Sequence, residues 1–107
     1  MRPLDQLEAT IQARKAASAD ESYTAKLLAG GVEKIGRKII EEAAELVEAA
    51  GEPGDAGREH TVHEAADLVY HAMVMLAARG VSLAEVEQEL ARRFGMSGIE
   101  EKASRTE

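Results

Sequence analysis

Residues 62–79, VHEAADLVYHAMVMLAAR, decide the fold of this chain. When this stretch is turned by about 100° per residue, as in an α-helix, its apolar side chains point in nearly every direction. A helix that is apolar on all sides is typical of the buried centre of a helical protein. We therefore predict a central helix from about Val62 to Arg79 that stops at Gly80, with Thr61 and Glu64 forming a capping box at its start.

The sequence on either side of this helix predicts more helices and contains no strand pattern. The other predicted helices are Pro3 to about Ala17, a short piece at Ala25–Ala29 that Gly30-Gly31 stops, Val32–Ala50, and a last helix that Ser82 and Glu85 cap and that continues to Phe94. Residues 51–57 are predicted to be a loop. We expect an all-α fold, a small bundle of four main helices plus a short one over residues 1–98, followed by a charged tail over residues 99–107.

Composition narrows the class of protein. The chain has 107 residues, no cysteine and a net charge of −7, which fits one domain without disulfides and without a basic surface for nucleic acid. It shows neither a secretory signal nor a long apolar run, so we expect no membrane contact and a cytoplasmic location. A domain this short buries a modest fraction of its surface, and we therefore expect a homodimer.

Acidic residues lie where the central helix is expected to be buried. Glu64, Asp67 and His71 fall within an arc of roughly 60° on one side of it. Buried carboxylates must be ion-paired, hydrogen-bonded or bound to a metal ion, because bare ones cost several kcal/mol. An ordinary buried salt bridge is the plain alternative, and capping alone would explain Glu64.

The helix at Val32–Ala50 carries a second acidic group. Glu41, Glu42 and Glu45 form a like-charge cluster, and Glu42 borders the apolar stripe, so it is expected to point toward a neighbouring helix. The stripe consists of Ile35, Ile39, Ala43, Leu46, Val47 and Ala50. The plain interpretation is a solvated face with Lys–Glu pairs.

Taken together, the two acidic groups suggest a metal site. Two antiparallel helices, with Glu42 and Glu45 on one and Glu64 and Asp67 on the other, would bring four oxygen ligands to one point. Oxygen ligands alone suit Mg²⁺, or Mn²⁺, rather than zinc. The sequence lacks motifs typical of other chemistries. It has no Glu-x-x-His pair, which is the usual di-iron signature, and no phosphate-binding glycine loop.

These residues resemble a known signature. Glu41-Glu42-Ala43-Ala44-Glu45 followed by Glu64-Ala65-Ala66-Asp67 is similar to the EExxE…ExxD pattern of the MazG-like all-α nucleotide pyrophosphatases. Residues 22–28 (SYTAKLL), the Arg37-Lys38 pair and residues 66–71 (ADLVYH) narrow the resemblance to the phosphoribosyl-ATP pyrophosphohydrolase family of histidine biosynthesis. Ile40 stands where many relatives have glycine, which we attribute to packing, and Arg37 stands where lysine is frequent.

The resemblance implies a metal-assisted hydrolysis of phosphoribosyl-ATP to phosphoribosyl-AMP and pyrophosphate. An acidic protein would repel this substrate unless a cation such as Mg²⁺ bridged the two. By the same resemblance, Glu42, Glu45, Glu64 and Asp67 would hold the metal, and Glu41 would be either the general base or a further ligand. The implied substrate contacts are Ser22, Tyr23, Thr24, Lys26, Lys34, Arg37 and Lys38.

Several alternatives stay open at this level. Pairing with helix-surface carboxylates would also account for the phosphate-binding cations, and capping of the next helix would also account for Ser22-Tyr23-Thr24. His71 either bonds a ligating carboxylate or bonds the backbone as a buried histidine, while His60 and His63 are expected on the surface. The competing functions are a house-cleaning pyrophosphatase for simple nucleoside triphosphates and a non-catalytic helical dimer.

Overall fold

The computed structural model describes residues 1–94 and confirms the all-α prediction. Its helices are α1 (Pro3–Arg14), α2 (Tyr23–Ala50), α3 (Gly54–Arg79) and α4 (Leu83–Arg92), and no strand occurs in this part of the chain. Helix α1 ends three residues before the predicted Ala17, and α4 ends two residues before Phe94. The predicted terminator Gly95-Met96-Ser97-Gly98 and the predicted tail lie outside the described residues.

The short helix and the long helix of the prediction are one bent element. Helix α2 begins after Ser22, whose hydroxyl accepts a hydrogen bond from the Ala25 backbone N–H at 3.2 Å. The helical backbone geometry of α2 is interrupted at Gly31, which has φ 74° and ψ −174°. This backbone region is open almost only to glycine, so Gly30-Gly31 bends the helix where the sequence predicted an end.

Gly31 therefore fixes the angle between the two arms of α2, and we expect Gly31→Ala to lower the free energy of unfolding by about 1–3 kcal/mol. Gly36 is the matched control, because it lies in the regular part of the same helix and an added Cβ would meet Met75 Cε at an ordinary 3.8 Å. Gly36→Ala should be neutral or stabilise by about 0.5–1 kcal/mol through helix propensity. Urea unfolding followed by circular dichroism measures both, and equal effects at the two positions would contradict the strained bend.

Helix α3 begins eight residues earlier than predicted, at Gly54 instead of Val62. Residues 54–57 of the predicted loop are helical, and the capping box of Thr61 with Glu64 is wrong, since the Thr61 hydroxyl donates to the Gly57 carbonyl inside the helix at 2.7 Å. Gly57 permits this compact start, because a Cβ there would lie 2.2 Å from the Glu52 carbonyl oxygen. Glu64 therefore sits well inside a helix, where capping does not account for its charge.

The core lies where α1, α2 and α3 meet. Helices α2 and α3 form a hairpin through residues 51–53, and α1 packs across them. The core residues are Ile11, Leu27, Ile35, Met73, Val74, Ala77 and Leu83. The capping box of Ser82 with Glu85 is confirmed, and the Leu83 N–H donates to Glu8 in α1 at 2.7 Å.

The apolar stripe of α2 was only partly predicted. Ile35 is buried, but Ile40 and Val47 are 72% and 74% exposed, so the packing explanation for Ile40 is wrong within this chain. Ala49 is buried instead of Ala50. No single helix of the described residues is long and apolar enough to cross a membrane. Helices α3 and α4 together have the length and composition of a membrane span, but they are bent by 106° relative to each other.

Candidate metal and phosphate site

Three glutamates meet across the α2–α3 hairpin. Glu42 and Glu45 lie one turn apart on α2, and Glu64 faces them from α3, with one carboxylate oxygen from each within 4.8 Å of the others. Glu42 is 8% and Glu64 7% exposed, whereas Glu45 is exposed. The sequence prediction that Glu42 points toward a neighbouring helix is thereby confirmed.

The two buried glutamates are short of partners. Within the described residues, Oε2 of Glu42 and Oε2 of Glu64 have no hydrogen-bond partner. Burial raises the pKa of Glu42, and the charges of Glu45 and Asp67 raise it further. Buried, unpaired and mutually repelling carboxylates are stabilised by a proton or by a cation, and three oxygen ligands that face one another fit a divalent metal ion.

Asp67 lies beside this group and joins it through Glu64. Its side chain is 41% exposed, and its close neighbours for a shared ion are Glu64 and His63, again with ligand atoms within 4.8 Å of one another. The predicted four carboxylates therefore form two overlapping groups that share Glu64. Asp67 is near enough to Glu42 for its charge to raise the pKa of that glutamate.

Because burying the charge of Glu42 costs free energy, we expect the stability of the protein to depend on bound metal. Without metal, Glu42→Gln should unfold at a higher urea concentration than the unchanged protein, by about 1–2 kcal/mol, because an amide is cheaper to bury than a repelled carboxylate. Mg²⁺ should stabilise the unchanged protein, by about 2–3 kcal/mol at roughly a hundred times its Kd, and the variant much less. Glu48→Gln, at an exposed position of the same helix, is the control. Equal Mg²⁺ effects on all three proteins would contradict a metal site at Glu42.

The histidines near the cluster differ from one another. His63 is on the surface as predicted, with its side chain 70% exposed. His60 is half-buried and reaches the cluster: its Nδ1 lies 2.8 Å from Glu52 and its Nε2 lies 3.3 Å from Glu64 Oε1. The hydrogen bond that His60 donates to Glu52 raises the pKa of the imidazole. The prediction of a plain surface role for His60 is therefore wrong.

His71 is hydrogen-bonded to the backbone, which was one of the two alternatives for this residue. It is buried, and its Nδ1–H donates to the Asp67 carbonyl at 2.8 Å, which leaves Nε2 to accept from the Tyr23 hydroxyl at 3.3 Å. It bonds Asp67 through the main chain rather than through the carboxylate. The Tyr70 ring lies edge-on to it, with 4.9 Å between centroids. His71 thus joins the start of α2 to the helix turn that carries Asp67.

Tyr23 and Thr24 form a polar–aromatic patch at the start of α2. Tyr23 is 52% exposed and stacks on Tyr70 with 6.4 Å between ring centroids, and Thr24 is hydrogen-bonded to the Tyr70 hydroxyl. Tyr70 was absent from the predicted site residues, although residues 66–71 were singled out. The hydroxyl of Ser22 caps α2, as the alternative for that residue anticipated.

Lys38 is the predicted phosphate contact that lies beside the acidic cluster. Its side chain is 33% exposed and its Nζ lies 3.6 Å from Glu41. The Tyr23 hydroxyl and then the Glu41 carboxylate raise the pKa of Lys38. The aromatic patch and the carboxylates therefore act electrostatically on the same ammonium group.

The other predicted cations are placed differently. Arg37 is 63% exposed and paired with Glu33 at 3.2 Å, which is the surface salt bridge of the alternative interpretation. Lys34 is half-buried and its stem lies over Gly30, where an added Cβ would come within 2.3 Å of its Cδ. Lys26 is exposed.

Comparison with known proteins places the chain in a family. The family model described as phosphoribosyl-ATP pyrophosphohydrolase matches residues 4–94. Several relatives are named phosphoribosyl-ATP pyrophosphatase. The one from Rhodopirellula baltica is 60% identical, and the match covers 96% of this chain and 86% of the relative. The relative from Dinoroseobacter shibae is 58% identical, and the match covers 98% of this chain and 100% of the relative. The relative from Cereibacter sphaeroides is 56% identical, and the match covers 98% of this chain and 99% of the relative. The resemblance inferred from the sequence is confirmed, and the chain belongs to the phosphoribosyl-ATP pyrophosphohydrolase family.

Proposed function

We propose that this protein hydrolyses phosphoribosyl-ATP between its α- and β-phosphates, giving phosphoribosyl-AMP and pyrophosphate in histidine biosynthesis. The relatives' shared name supports the substrate. The observation that carries the chemistry is the pair of buried, unpartnered carboxylate oxygens on Glu42 and Glu64, next to a half-buried lysine. A divalent cation would neutralise the charge of such a site and would make it attractive to a triphosphate.

The residues that would hold one or more metal ions are Glu42, Glu45, Glu64 and Asp67. Mg²⁺ suits their oxygen ligands, with Mn²⁺ as a substitute. When bound, Mg²⁺ screens the triphosphate charge, polarises the phosphoryl oxygens and acidifies water. Buried Glu42 and Glu64 define the deep side of this site, and exposed Glu45 and half-exposed Asp67 leave its outer side open to substrate.

The protein's own groups then position the reacting atoms. Lys38 would contact phosphate oxygens, and Glu41, 3.6 Å from its Nζ, would accept the proton of the attacking water. Pyrophosphate leaves as the water oxygen bonds to phosphorus, so a base and a phosphate-binding cation on adjacent turns suit this displacement. Glu41 is exposed and lies outside the two groups of potential metal ligands, which favours the base role over a further ligand.

The patch at the start of α2 is proposed to hold the rest of the substrate. Tyr23 offers an exposed ring face for the purine, with Thr24 beside it, and Ser22 keeps the helix start in place. Lys34 and Lys26 lie on the same helix and would contact outlying phosphates. Arg37, held by Glu33, contributes least.

The test is pyrophosphate release from phosphoribosyl-ATP, with and without Mg²⁺, for the unchanged protein and for Asp67→Asn, beside ATP and a panel of dNTPs. We expect release from phosphoribosyl-ATP that needs the metal and is lost in the folded variant. Release from ordinary nucleoside triphosphates alone would move the protein to the house-cleaning class. No release from any of them would refute the proposal.

We also propose that the protein works as a homodimer. Ile40, Ala44 and Val47 on α2, and Val62, Ala66 and Val69 on α3, are exposed at spacings of one helix turn, so each helix carries an uncovered apolar stripe. Ala50, one turn after Val47, and Val62 line one surface depression together with Arg58 and Thr61, so the two stripes come close at the closed end of the hairpin. Two exposed apolar stripes of this kind are typical of a protein interface.

The homodimer makes a direct prediction. Val47→Glu should shift the protein from dimer to monomer in analytical ultracentrifugation at micromolar concentration, because a charge on the stripe cannot be buried against a second copy. Ala78→Glu adds the same charge to the opposite side of α3 at an exposed position and should leave the dimer intact. A monomeric unchanged protein, or a dimer that tolerates Val47→Glu, would refute the assignment.

A further inference from the structure

We propose that His63, Glu64 and Asp67 form a second cation position, which takes a nitrogen-preferring divalent ion such as Zn²⁺ or Co²⁺. One ligand atom from each residue lies within 4.8 Å of the others. The inference rests on the proposed function only in that Glu64 and Asp67 also serve the magnesium site. His63 has no part in that site.

The spacing of His63 and Asp67 suits a shared ion. These residues are one helix turn apart, and His63 Nε2 lies 3.4 Å from Asp67 Oδ2. This separation exceeds the usual N–H···O distance of about 2.7–3.2 Å. Two ligands at about 2.0–2.1 Å from a tetrahedral ion are about 3.3–3.4 Å apart. The pair thus has the spacing of two ligands around such an ion, and without one the two side chains form a surface ion pair.

Glu64 supplies the third ligand from the protein interior. Its side chain is 9% exposed, and His60 Nε2 contacts its Oε1 at 3.3 Å. Its other oxygen, Oε2, is buried without a partner among the described residues. His60 thus occupies one oxygen while the second stays available, and exposed His63 leaves an open side for entry of the ion.

The imidazole decides which ions prefer this position. Zn²⁺ and Co²⁺ bind imidazole nitrogen well, whereas Mg²⁺ favours ligand sets made of oxygen alone. Because Glu64 belongs to both groups, an ion at His63 draws that carboxylate, together with Asp67, away from the magnesium site. We therefore expect Zn²⁺ to inhibit Mg²⁺-dependent turnover.

The test is titration of Co²⁺ into the metal-free, full-length protein, followed by the visible absorption of the bound ion. The unchanged protein should show a saturable band, and His63→Gln should weaken its apparent affinity by about tenfold or more, since one of three ligands is lost. His60→Gln is the matched control, with the same substitution one turn earlier on the same helix. It should keep the band.

Equal Co²⁺ binding by the unchanged protein and His63→Gln would overturn the site, as would loss of the band in His60→Gln alone. Absorption does not require turnover, so a failure of the proposed activity leaves this measurement intact. In the turnover assay, Zn²⁺ should inhibit His63→Gln about tenfold less strongly than the unchanged protein. Equal inhibition would overturn the sharing of Glu64 and Asp67.

Discussion

Glu64→Gln is expected to lower kcat for phosphoribosyl-ATP hydrolysis by about 10²–10³-fold, the usual effect of removing one group that stabilises transition-state charge. Glu64 is the residue that both groups of potential ligands share, and its Oε2 is buried without a partner in the described chain. Glutamine keeps the size of the side chain and removes its charge. The loss should therefore fall on metal binding and catalysis and not on packing.

Three measurements make this prediction decisive. Pyrophosphate release gives kcat and KM, circular dichroism shows whether the helices remain, and a Mg²⁺ titration of the unfolding midpoint reports the metal directly. Glu48→Gln removes the same charge from an exposed position and should behave like the unchanged protein. A folded Glu64→Gln protein with ordinary kcat and ordinary Mg²⁺ stabilisation would remove the carboxylate cluster from the mechanism.

The helices and the acidic cluster could be predicted because local sequence determines them. The apolar run at residues 62–79 demands burial wherever it lies, and Glu42 at the border of an apolar stripe had to face a neighbouring helix. The second expectation is confirmed, whereas α3 is buried on only part of its surface, because Val62 and Val69 are 70% and 41% exposed. The start of α3 could not be predicted, because Gly54 and Gly57 read as loop residues. Only the close approach of Glu52 shows that Gly57 lies in a tight helix start.

The partition of the ligands also depended on the fold. Helical spacing put Glu64 and Asp67 on one side of α3, but the four carboxylates do not meet at a single point. Which residues share an ion depends on the depth of each side chain, and Asp67 lies further out than Glu64. His63 was interpreted as a surface residue, which it is, yet its position one turn before Asp67 was a usable signal. Likewise, Ile40 and Val47 were assigned to packing because a single sequence does not show which apolar side chains of a helix stay exposed in the folded chain.

Lys38→Gln is expected to lower kcat/KM for phosphoribosyl-ATP by about 10–100-fold, which corresponds to the loss of one charge-assisted contact with a phosphate. The Lys38 ammonium lies 3.6 Å from the Glu41 carboxylate, and the Tyr23 hydroxyl and Glu41 both raise its pKa, so it stays charged at neutral pH. A cation held beside the proposed base and beside the metal ligands is well placed to bind the triphosphate.

Arg37→Gln separates this role from a general effect of positive charge. Arg37 precedes Lys38 in the chain, but its guanidinium is exposed and paired with Glu33, so its removal should change kcat/KM by less than about threefold, as expected for a surface ion pair. Both variants keep all the proposed metal ligands, so Mg²⁺ should still raise the unfolding midpoint of both. If the two losses were equal, the proposed contact would reduce to long-range attraction, which raising the salt concentration would weaken in both variants alike. A Lys38→Gln loss that persists at high salt, with Arg37→Gln unaffected, would instead require a direct contact between Lys38 and the substrate.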